Sequence, residues 1–116
     1  MKESATFWRA PEFGNLELLK ATYVTHAFAR HAHAGFVIGM IERGVEVFAC
    51  RGQTHAAAPG DLVLINPDTV HTGHAGEAGG WTYRMFYPDI ALMRQVAGVI
   101  GAGRGGKFSK YGGCWM

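Results

Sequence analysis

The segment RHAHAGFVIGMIERG, residues 30–44, contains a histidine pair, an apolar run and a turn signal in close succession. His31 and His33 stand two positions apart, and side chains at that spacing point to the same face of an extended strand. The apolar run at residues 36–41 is typical of a buried strand. Arg43-Gly44 then predicts a turn, because glycine readily adopts a positive φ. The segment therefore predicts a strand and a turn beside two imidazoles that face one space.

Turn signals recur at short intervals along the chain and separate candidate strands. We place these strands at residues 16–28, 36–42, 45–50, 53–57, 62–65 and 81–87. The connections are too short for crossover helices, so neighbouring strands should be antiparallel. Many short strands at close spacing are typical of an all-β sandwich or barrel.

The pattern becomes helical after Pro88. Asp89 is a candidate N-cap, since its carboxylate can accept the free N–H groups of a first turn. Two neighbouring apolar stripes follow at helical spacing, formed by Leu92, Val96 and Val99 and by Met93, Ala97 and Ile100. Either one side of this helix packs on the barrel and the other meets a second subunit, or the helix is wholly buried on its own domain.

These patterns divide the chain into four parts. We expect an N-terminal arm at residues 1–15, whose aromatic residues Phe7, Trp8 and Phe13 anchor it to the domain. The barrel should occupy residues 16–88 and the helix residues 89–100, as a dimer contact. Residues 101–116 are rich in glycine, which has a high ordering cost, so this tail should have little structure of its own.

Composition excludes several classes of protein. The chain has 116 residues and a net charge of +2, and its basic residues form no cluster typical of a nucleic-acid-binding surface. No apolar run approaches the length of a membrane span, and the N-terminus shows no secretory signal. Cys50 and Cys114 fit no metal or redox spacing and are interpreted as two reduced thiols. We therefore predict a cytoplasmic protein.

A third histidine, His71, follows the 62–65 strand and joins His31 and His33 as a candidate site residue. Imidazole suits zinc, nickel, copper and iron. A carboxylate ligand a few residues after His33 is missing, and the nearest one, Glu42, lies a full strand length away. Two interpretations stay open: a water-rich metal site, or pocket histidines that hydrogen-bond a ligand. We expect no cofactor, and keep a divalent metal at these three histidines as the alternative.

Trp81 and Tyr83 are amphipathic side chains beside a glycine-rich stretch at residues 73–80, which suits the mouth of a barrel pocket. Arg84, the basic residue of the same strand, either pairs with an anionic ligand or reaches solvent. No arrangement of a nucleophile with a base is present, so no catalytic residue is expected. The candidate ligand-binding residues are His31, His33, His71, Trp81 and Tyr83.

Three blocks in this order resemble the N-terminal cupin domain of AraC-type transcriptional regulators: R-H-A-H-A-G-F-V-I-G-M-I-E-R-G, P-G-D-L-V-L-I-N-P-D-T-V-H-T-G and G-G-W-T-Y-R-M-F-Y-P. The resemblance spans residues 7–100, and the second block is its most specific part. It implies a small double-stranded, jelly-roll-like β-barrel that senses an effector, followed by helices that dimerise. His31, His33 and His71 stand where metal-binding cupins carry their ligands. The usual glutamate is missing at Val37 or Ile38, which fits the regulator branch.

The family continues into a DNA-binding module with two helix-turn-helix motifs, and nothing after Ile100 resembles one. The resemblance therefore implies a ligand-sensing and dimerisation domain, with a small-molecule effector and a second copy as partners. It should not bind DNA by itself or contact a membrane. The alternative is a small stand-alone cupin metalloenzyme of the dioxygenase or isomerase type.

Overall fold

The computed structural model describes residues 2–100 and the backbone of residues 114–115. These residues form ten strands, one 3₁₀ turn and one α-helix. In chain order they are β1 (Ser4–Ala10), the 3₁₀ turn (Pro11–Phe13), β2 (Leu16–Tyr23), β3 (Phe28–His31), β4 (Val37–Gly44), β5 (Glu46–Cys50), β6 (Gln53–Ala57), β7 (Leu62–Ile65), β8 (His71–Ala75), β9 (Trp81–Tyr87), α1 (Ile90–Ile100) and β10 (Cys114–Trp115).

The strands form two antiparallel sheets. The larger sheet has the order β1-β2-β9-β4-β7-β10, and the smaller one has the order β3-β8-β5-β6. Every strand pairing among the described residues is antiparallel. The prediction of an all-β antiparallel barrel with a C-terminal helix is confirmed.

Alternation along the strands explains how the core forms, since successive side chains of a strand point to opposite faces. In β9, Trp81, Tyr83 and Met85 are buried, whereas Arg84 and Phe86 face outward. The same alternation in β5 directs residues 46, 48 and 50 inward. The buried apolar side chains of both sheets meet between them as one core.

At one end of the barrel, the last residue of β4 packs closely against the residue before β9. Gly44 and Gly80 both have a φ of +74°. A Cβ atom at Gly44 would lie 2.0 Å from the Gly80 carbonyl oxygen, and one at Gly80 would lie 2.0 Å from the Tyr23 carbonyl oxygen. These two positions therefore require glycine for space as well as for conformation. The glycine-rich stretch at 73–80 ends in a tightly packed turn.

The helix α1 begins directly after its predicted cap. The Asp89 side chain accepts a hydrogen bond from the Leu92 backbone N–H at 2.7 Å. Leu92 and Met93 are half-buried, whereas the Val96 side chain is 47 % exposed. Of the two alternatives for this helix, complete burial on its own domain is therefore wrong.

The N-terminal segment differs from the prediction. Residues 4–10 form β1, which pairs with β2 along its whole length, although the sequence shows no strand periodicity there. The expected aromatic anchors are not packed: Phe7, Trp8 and Phe13 are 51 %, 42 % and 57 % exposed. The reason is that β1 is the edge strand of the larger sheet, beyond the core, so neither of its faces is covered.

The C-terminal tail lies mostly outside the described residues. The expectation that residues 101–116 have little structure can be compared only at residues 114–115, where β10 pairs with β7. Cys50 is disulfide-bonded, so the expectation of two reduced thiols is wrong. The distance between the two cysteines along the chain did not indicate a disulfide. The pairing of β10 with β7 brings the C-terminal end back to the barrel.

Within the part of the chain that the structure describes, no helix is long and apolar enough to cross a membrane.

Candidate functional site

A cavity of about 110 Å³ lies inside the barrel between the two sheets. Its titratable lining residues include three histidines, one glutamate and three tyrosines. They are His31, His33, His71, Glu46, Tyr23, Tyr83 and Tyr87. Apolar side chains such as Phe48 and Val63 complete the wall. The cavity is thus a polar pocket inside an apolar barrel, a composition suited to orienting a small ligand.

The three histidines converge at one end of the cavity. His31 ends β3 and pairs directly with His71, which begins β8. His33 lies beyond the end of β3, in a connection that is held in place because its carbonyl oxygen accepts the Asp68 N–H at 2.8 Å. One nitrogen from each ring lies within 4.8 Å of those of the other two. The prediction that the two imidazoles share one space with His71 therefore agrees with the geometry, although His33 is not in a strand.

Backbone carbonyls orient two of these rings. The His31 Nδ1 atom lies 2.7 Å from the Ala29 carbonyl oxygen, and the His71 Nδ1 atom lies 2.9 Å from that of Thr69. A carbonyl oxygen only accepts, so Nδ1 carries a proton in both rings and Nε2 is the atom left for a metal or a ligand. Burial lowers the pKa of His71 and of His33, which keeps both imidazoles neutral near pH 7.

This donor set fits a divalent transition metal with three imidazole ligands, because such ions bind unprotonated imidazole nitrogens. It equally suits a ligand that donates hydrogen bonds. Among the described residues no carboxylate belongs to the histidine cluster.

The cavity nevertheless contains a carboxyl group that the sequence reasoning missed. Glu46, in β5, is only 8 % exposed and lines the same cavity. Burial raises its pKa to about 8, so the group is mostly protonated at pH 7. A Cβ atom at Gly73 would lie 2.7 Å from the Glu46 Oε2 atom, so the glycine in β8 makes room for this side chain.

A sequence signal for Glu46 was available. In β5 the alternation places Glu46 on the same face as Phe48 and Cys50, which are buried. An isolated acidic residue on the apolar face of a strand is unusual, since glutamate is rarely buried. Glu46 does not follow His33 closely but lies in β5, after the whole of β4, so a carboxylate expected a few residues after His33 does not lead to it.

The tyrosines of the cavity are neutral hydrogen-bonding groups. Burial raises the pKa of Tyr87 to about 12 and also raises the pKa of Tyr83 and Tyr23. Tyr83 lines the cavity, and the sequence had marked it as a candidate ligand-binding residue. These hydroxyl groups can both donate and accept at any physiological pH.

Trp81 does not line the cavity, contrary to the expectation. Its side chain is fully buried in the core and packs against Tyr23 and Tyr83, with ring centroids 5.5 and 5.8 Å apart. It shares a face with Tyr83, but it lies at the closed end of the barrel where β9 begins. Arg84 faces outward and forms an ion pair with Glu42. Consequently, no lysine or arginine is found among the described residues that line the cavity.

A surface cleft of about 260 Å³ adjoins the histidine end of the cavity. It lies between the 3₁₀ turn and the beginning of α1, and its walls include Phe13 and Leu92. His33 and Tyr87 line both the cavity and this cleft. Their rings lie 5.3 Å apart, so this pair separates the interior from two surface elements.

Comparison with known proteins gives a family and a regulator relative. Residues 13–114 match the family model described as the AraC-like ligand binding domain. A protein of Bacillus subtilis (strain 168), named "Uncharacterized HTH-type transcriptional regulator YbfI", is 31 % identical over 99 residues. That match covers 84 % of this chain and 36 % of YbfI, so the chain spans about a third of the relative's length.

Solved structures share the fold at low sequence identity. A cupin-like protein from Thermotoga maritima superposes with a TM-score of 0.66 at 22 % identity, over 76 % of this chain and 69 % of that one. A Cupin 2 conserved barrel domain protein from Salinispora arenicola gives 0.64 at 17 % identity, over 84 % of each chain. The predicted cupin-type barrel is thereby confirmed.

Proposed function

Because this chain belongs to the AraC-like ligand-binding domain family, we propose that its barrel cavity binds a small effector and passes that event to the N-terminal arm and to α1. The chain is a ligand-sensing domain of the transcriptional-regulator type. The observation that carries the proposed mechanism is that His33 and Tyr87 line both the cavity and the cleft between arm and helix. A ligand that moves either side chain changes the floor of that cleft.

The lining residues have distinct roles in this proposal. His31 and His71 present Nε2 atoms that accept hydrogen bonds from the effector, and the hydroxyl group of Tyr83 orients it from the opposite wall. His33 and Tyr87 respond to occupancy and alter the packing of the surface elements above them. A ligand can shift the balance of two conformations only if it binds one of them better. The contacts at His33 and Tyr87 supply that difference.

Hydrogen exchange tests this mechanism with a ligand selected by its thermal stabilisation of the wild-type protein. Saturating ligand should change exchange in residues 11–15 and 89–96. The control is Val63→Phe, which fills the cavity from a buried lining position. The variant should show no ligand-dependent change. Unchanged exchange in both segments of the ligand-bound wild type would contradict the mechanism.

The partners follow from the same proposal. We expect a homodimer that uses residues 89–100 as its contact, since Val96 is left exposed on α1. A cytoplasmic location is proposed from the transcriptional-regulator relative, since the disulfide at Cys50 removes the support from reduced thiols. The 116-residue chain should not bind operator DNA by itself, because its described residues contain a single α-helix and thus no helix-turn-helix pair. A tight, sequence-specific mobility shift of duplex DNA by the purified chain would contradict this expectation.

The three convergent imidazoles favour a second candidate, a divalent metal held by His31, His33 and His71 in a stand-alone metalloenzyme of the dioxygenase or isomerase type. The metal would supply a Lewis acid or an oxygen-activating centre. We propose instead that the chain is not an enzyme, since its family is a regulator family and no carboxylate joins the cluster among the described residues.

Elemental analysis of protein purified without an affinity tag separates the two candidates. The matched variant carries His31→Ala and His33→Ala together. Stoichiometric metal in the wild type that is lost in the variant would favour the metalloenzyme. Metal content far below one ion per chain, with effector binding retained in the presence of EDTA, supports the sensor.

A further inference from the structure

Glu46 is the polar group of the cavity that neither the fold nor the histidine cluster explains. The residue is only 8 % exposed. No hydrogen bond to its carboxyl group is found among the residues that the structure describes. The fully enclosed side-chain atoms that lack a hydrogen-bond partner do not include the Glu46 oxygens. The carboxyl group therefore opens onto the cavity, where a ligand can engage it.

The surroundings of Glu46 select the chemistry of that partner. Aromatic rings of Tyr23, Phe48, Tyr83 and Tyr87 line the cavity that Glu46 faces. Within the described part of the chain no lysine or arginine lines it, so an anionic head group would meet the Glu46 carboxyl group and no permanently charged cation. Aromatic faces attract a cation through their quadrupoles, and a carboxylate adds the opposite charge.

We propose that this cavity recognises a small organic ammonium group, held by the Glu46 carboxylate among the surrounding aromatic rings. The inference rests on the proposed function, since it concerns the same cavity. A cavity of about 150 Å³ holds one benzene molecule. The 110 Å³ available here therefore takes a group of about four or five heavy atoms. A longer ligand would extend past His33 and Tyr87 into the cleft.

Binding of such a cation is coupled to a proton. Without ligand, Glu46 is mostly protonated at pH 7, because burial holds its pKa near 8. The ammonium ion keeps its own charge and favours the ionised carboxylate, so the Glu46 proton leaves to solvent as the ligand binds. Other titratable groups line the same cavity from β2, β3, β8, β9 and the connection after β3: Tyr23, His31, His33, His71, Tyr83 and Tyr87.

Isothermal titration with three molecules of matched shape tests the inference: butylammonium, 1-butanol and butyrate, all in EDTA so that no metal contributes a charge. Butylammonium should bind at least about tenfold more tightly than butanol. Glu46→Gln should lose at least about tenfold in butylammonium affinity and keep its butanol affinity. Glu42→Gln, which changes a carboxylate on the outer face of β4, should behave as the wild type.

The pH dependence in the wild type provides a second readout that needs no variant. Butylammonium affinity should rise between pH 6 and pH 8, by up to about tenfold per unit, because the Glu46 proton is released. Butanol affinity should not follow that rise. Equal affinity for butanol and butylammonium, or full butylammonium affinity in Glu46→Gln, would overturn the inference.

The same titrations distinguish failure of this inference from failure of the proposed function. If butanol or butyrate binds, butylammonium does not, and Val63→Phe abolishes the binding, then the cavity remains a ligand site and only the ammonium class is wrong. If Val63→Phe leaves the binding of every probe unchanged, the cavity is not the ligand site and both proposals fail. If none of the three binds the wild type, the ammonium inference is overturned.

Discussion

The carboxyl group of Glu46 makes the stability of this domain depend on pH. Its folded-state pKa of about 8 lies well above the ordinary value of 4.5, because burial disfavours the charge. Between these two values the unfolded chain has lost a proton that the folded chain still holds. Folding stability therefore falls as the pH rises through this window, by up to about 1.4 kcal/mol per unit.

Glu46→Gln removes that proton linkage while keeping nearly the same shape. Urea denaturation at pH 5 and pH 8 gives the free energy of unfolding of both proteins. From pH 5 to pH 8 this free energy should fall further in the wild type than in the variant, by on the order of 1.4 kcal/mol per pH unit. Glu42→Gln on the outer face is the matched control and should not reduce the decline. An equal decline in wild type and Glu46→Gln would show that the Glu46 carboxyl group is not held protonated by burial.

Side chains of the site differ in how far the sequence could locate them. The two-residue spacing of His31 and His33 predicted their shared direction, and the position of His71 after the 62–65 strand made it the third candidate. The alternation in β9 correctly turned Tyr83 inward, but Trp81 shares that alternation and still lies outside the cavity. Whether an inward-facing side chain lines the cavity or packs in the core depends on its position along the barrel axis. Strand periodicity gives the face on which a side chain lies, but not its position along the axis.

Among the turns, the one that leads into β9 is the most constrained by packing. Gly80→Ala places a Cβ atom 2.0 Å from the Tyr23 carbonyl oxygen, at a φ of +74°. Backbone atoms cannot rotate away as a flexible side chain does, so we expect a loss of about 3 kcal/mol or more. Thermal or urea denaturation measures the change.

Gly60→Ala is the control for conformational strain alone. Gly60 also has a positive φ, of +91°, but a Cβ atom there would meet nothing within 4 Å. Its substitution should cost about 1 kcal/mol, the price of the left-handed conformation without a collision. Equal losses in the two variants would contradict the claim that close packing decides the turn at Gly80.

The helix α1 carries the proposed dimer contact. Val96→Glu places a charge at a position that is 47 % exposed in the isolated chain, so it should weaken a dimer with little effect on the fold. We expect the dimer dissociation constant to rise about tenfold or more, which corresponds to about 1.4 kcal/mol. Sedimentation equilibrium measures it.

Leu62→Glu is the matched control for another apolar surface. Leu62, in β7, is 61 % exposed on the larger sheet. If α1 forms the contact, this variant should dimerise as the wild type does. A dimer that is weakened by Leu62→Glu and unaffected by Val96→Glu would move the interface from the helix to the sheet.

Several elements were predictable because burial imposes a period on their sequence. The strands β4, β5, β7 and β9 each have a buried face, and the helix has a cap and apolar stripes. The strand β1 was missed because it is an edge strand whose two faces are both exposed, so no alternation was selected. This strand forms through backbone hydrogen bonds to β2, and such bonds leave no pattern in the sequence of β1.

At the scale of the whole molecule, the sensing mechanism depends on which end of the barrel communicates with the surface. The sequence suggested the glycine-rich stretch beside Trp81 as the mouth. The structure closes that end through Gly44 and Gly80 and brings the cleft to His33 and Tyr87 at the opposite end. This arrangement joins segments far apart in sequence, the 3₁₀ turn and α1. No local pattern could have predicted it, although turn spacing and the family resemblance did predict the barrel.

The most direct test of the central claim, that the barrel cavity is the ligand site, is thermal denaturation of the wild type and Val63→Phe with the same set of small molecules. The set should contain ammonium, hydroxyl and carboxylate compounds of about four to ten heavy atoms. The expected result is that at least one compound raises the melting temperature of the wild type by several degrees and leaves that of Val63→Phe unchanged. Equal shifts in both proteins, or no shift of the wild type by any compound, would contradict the claim.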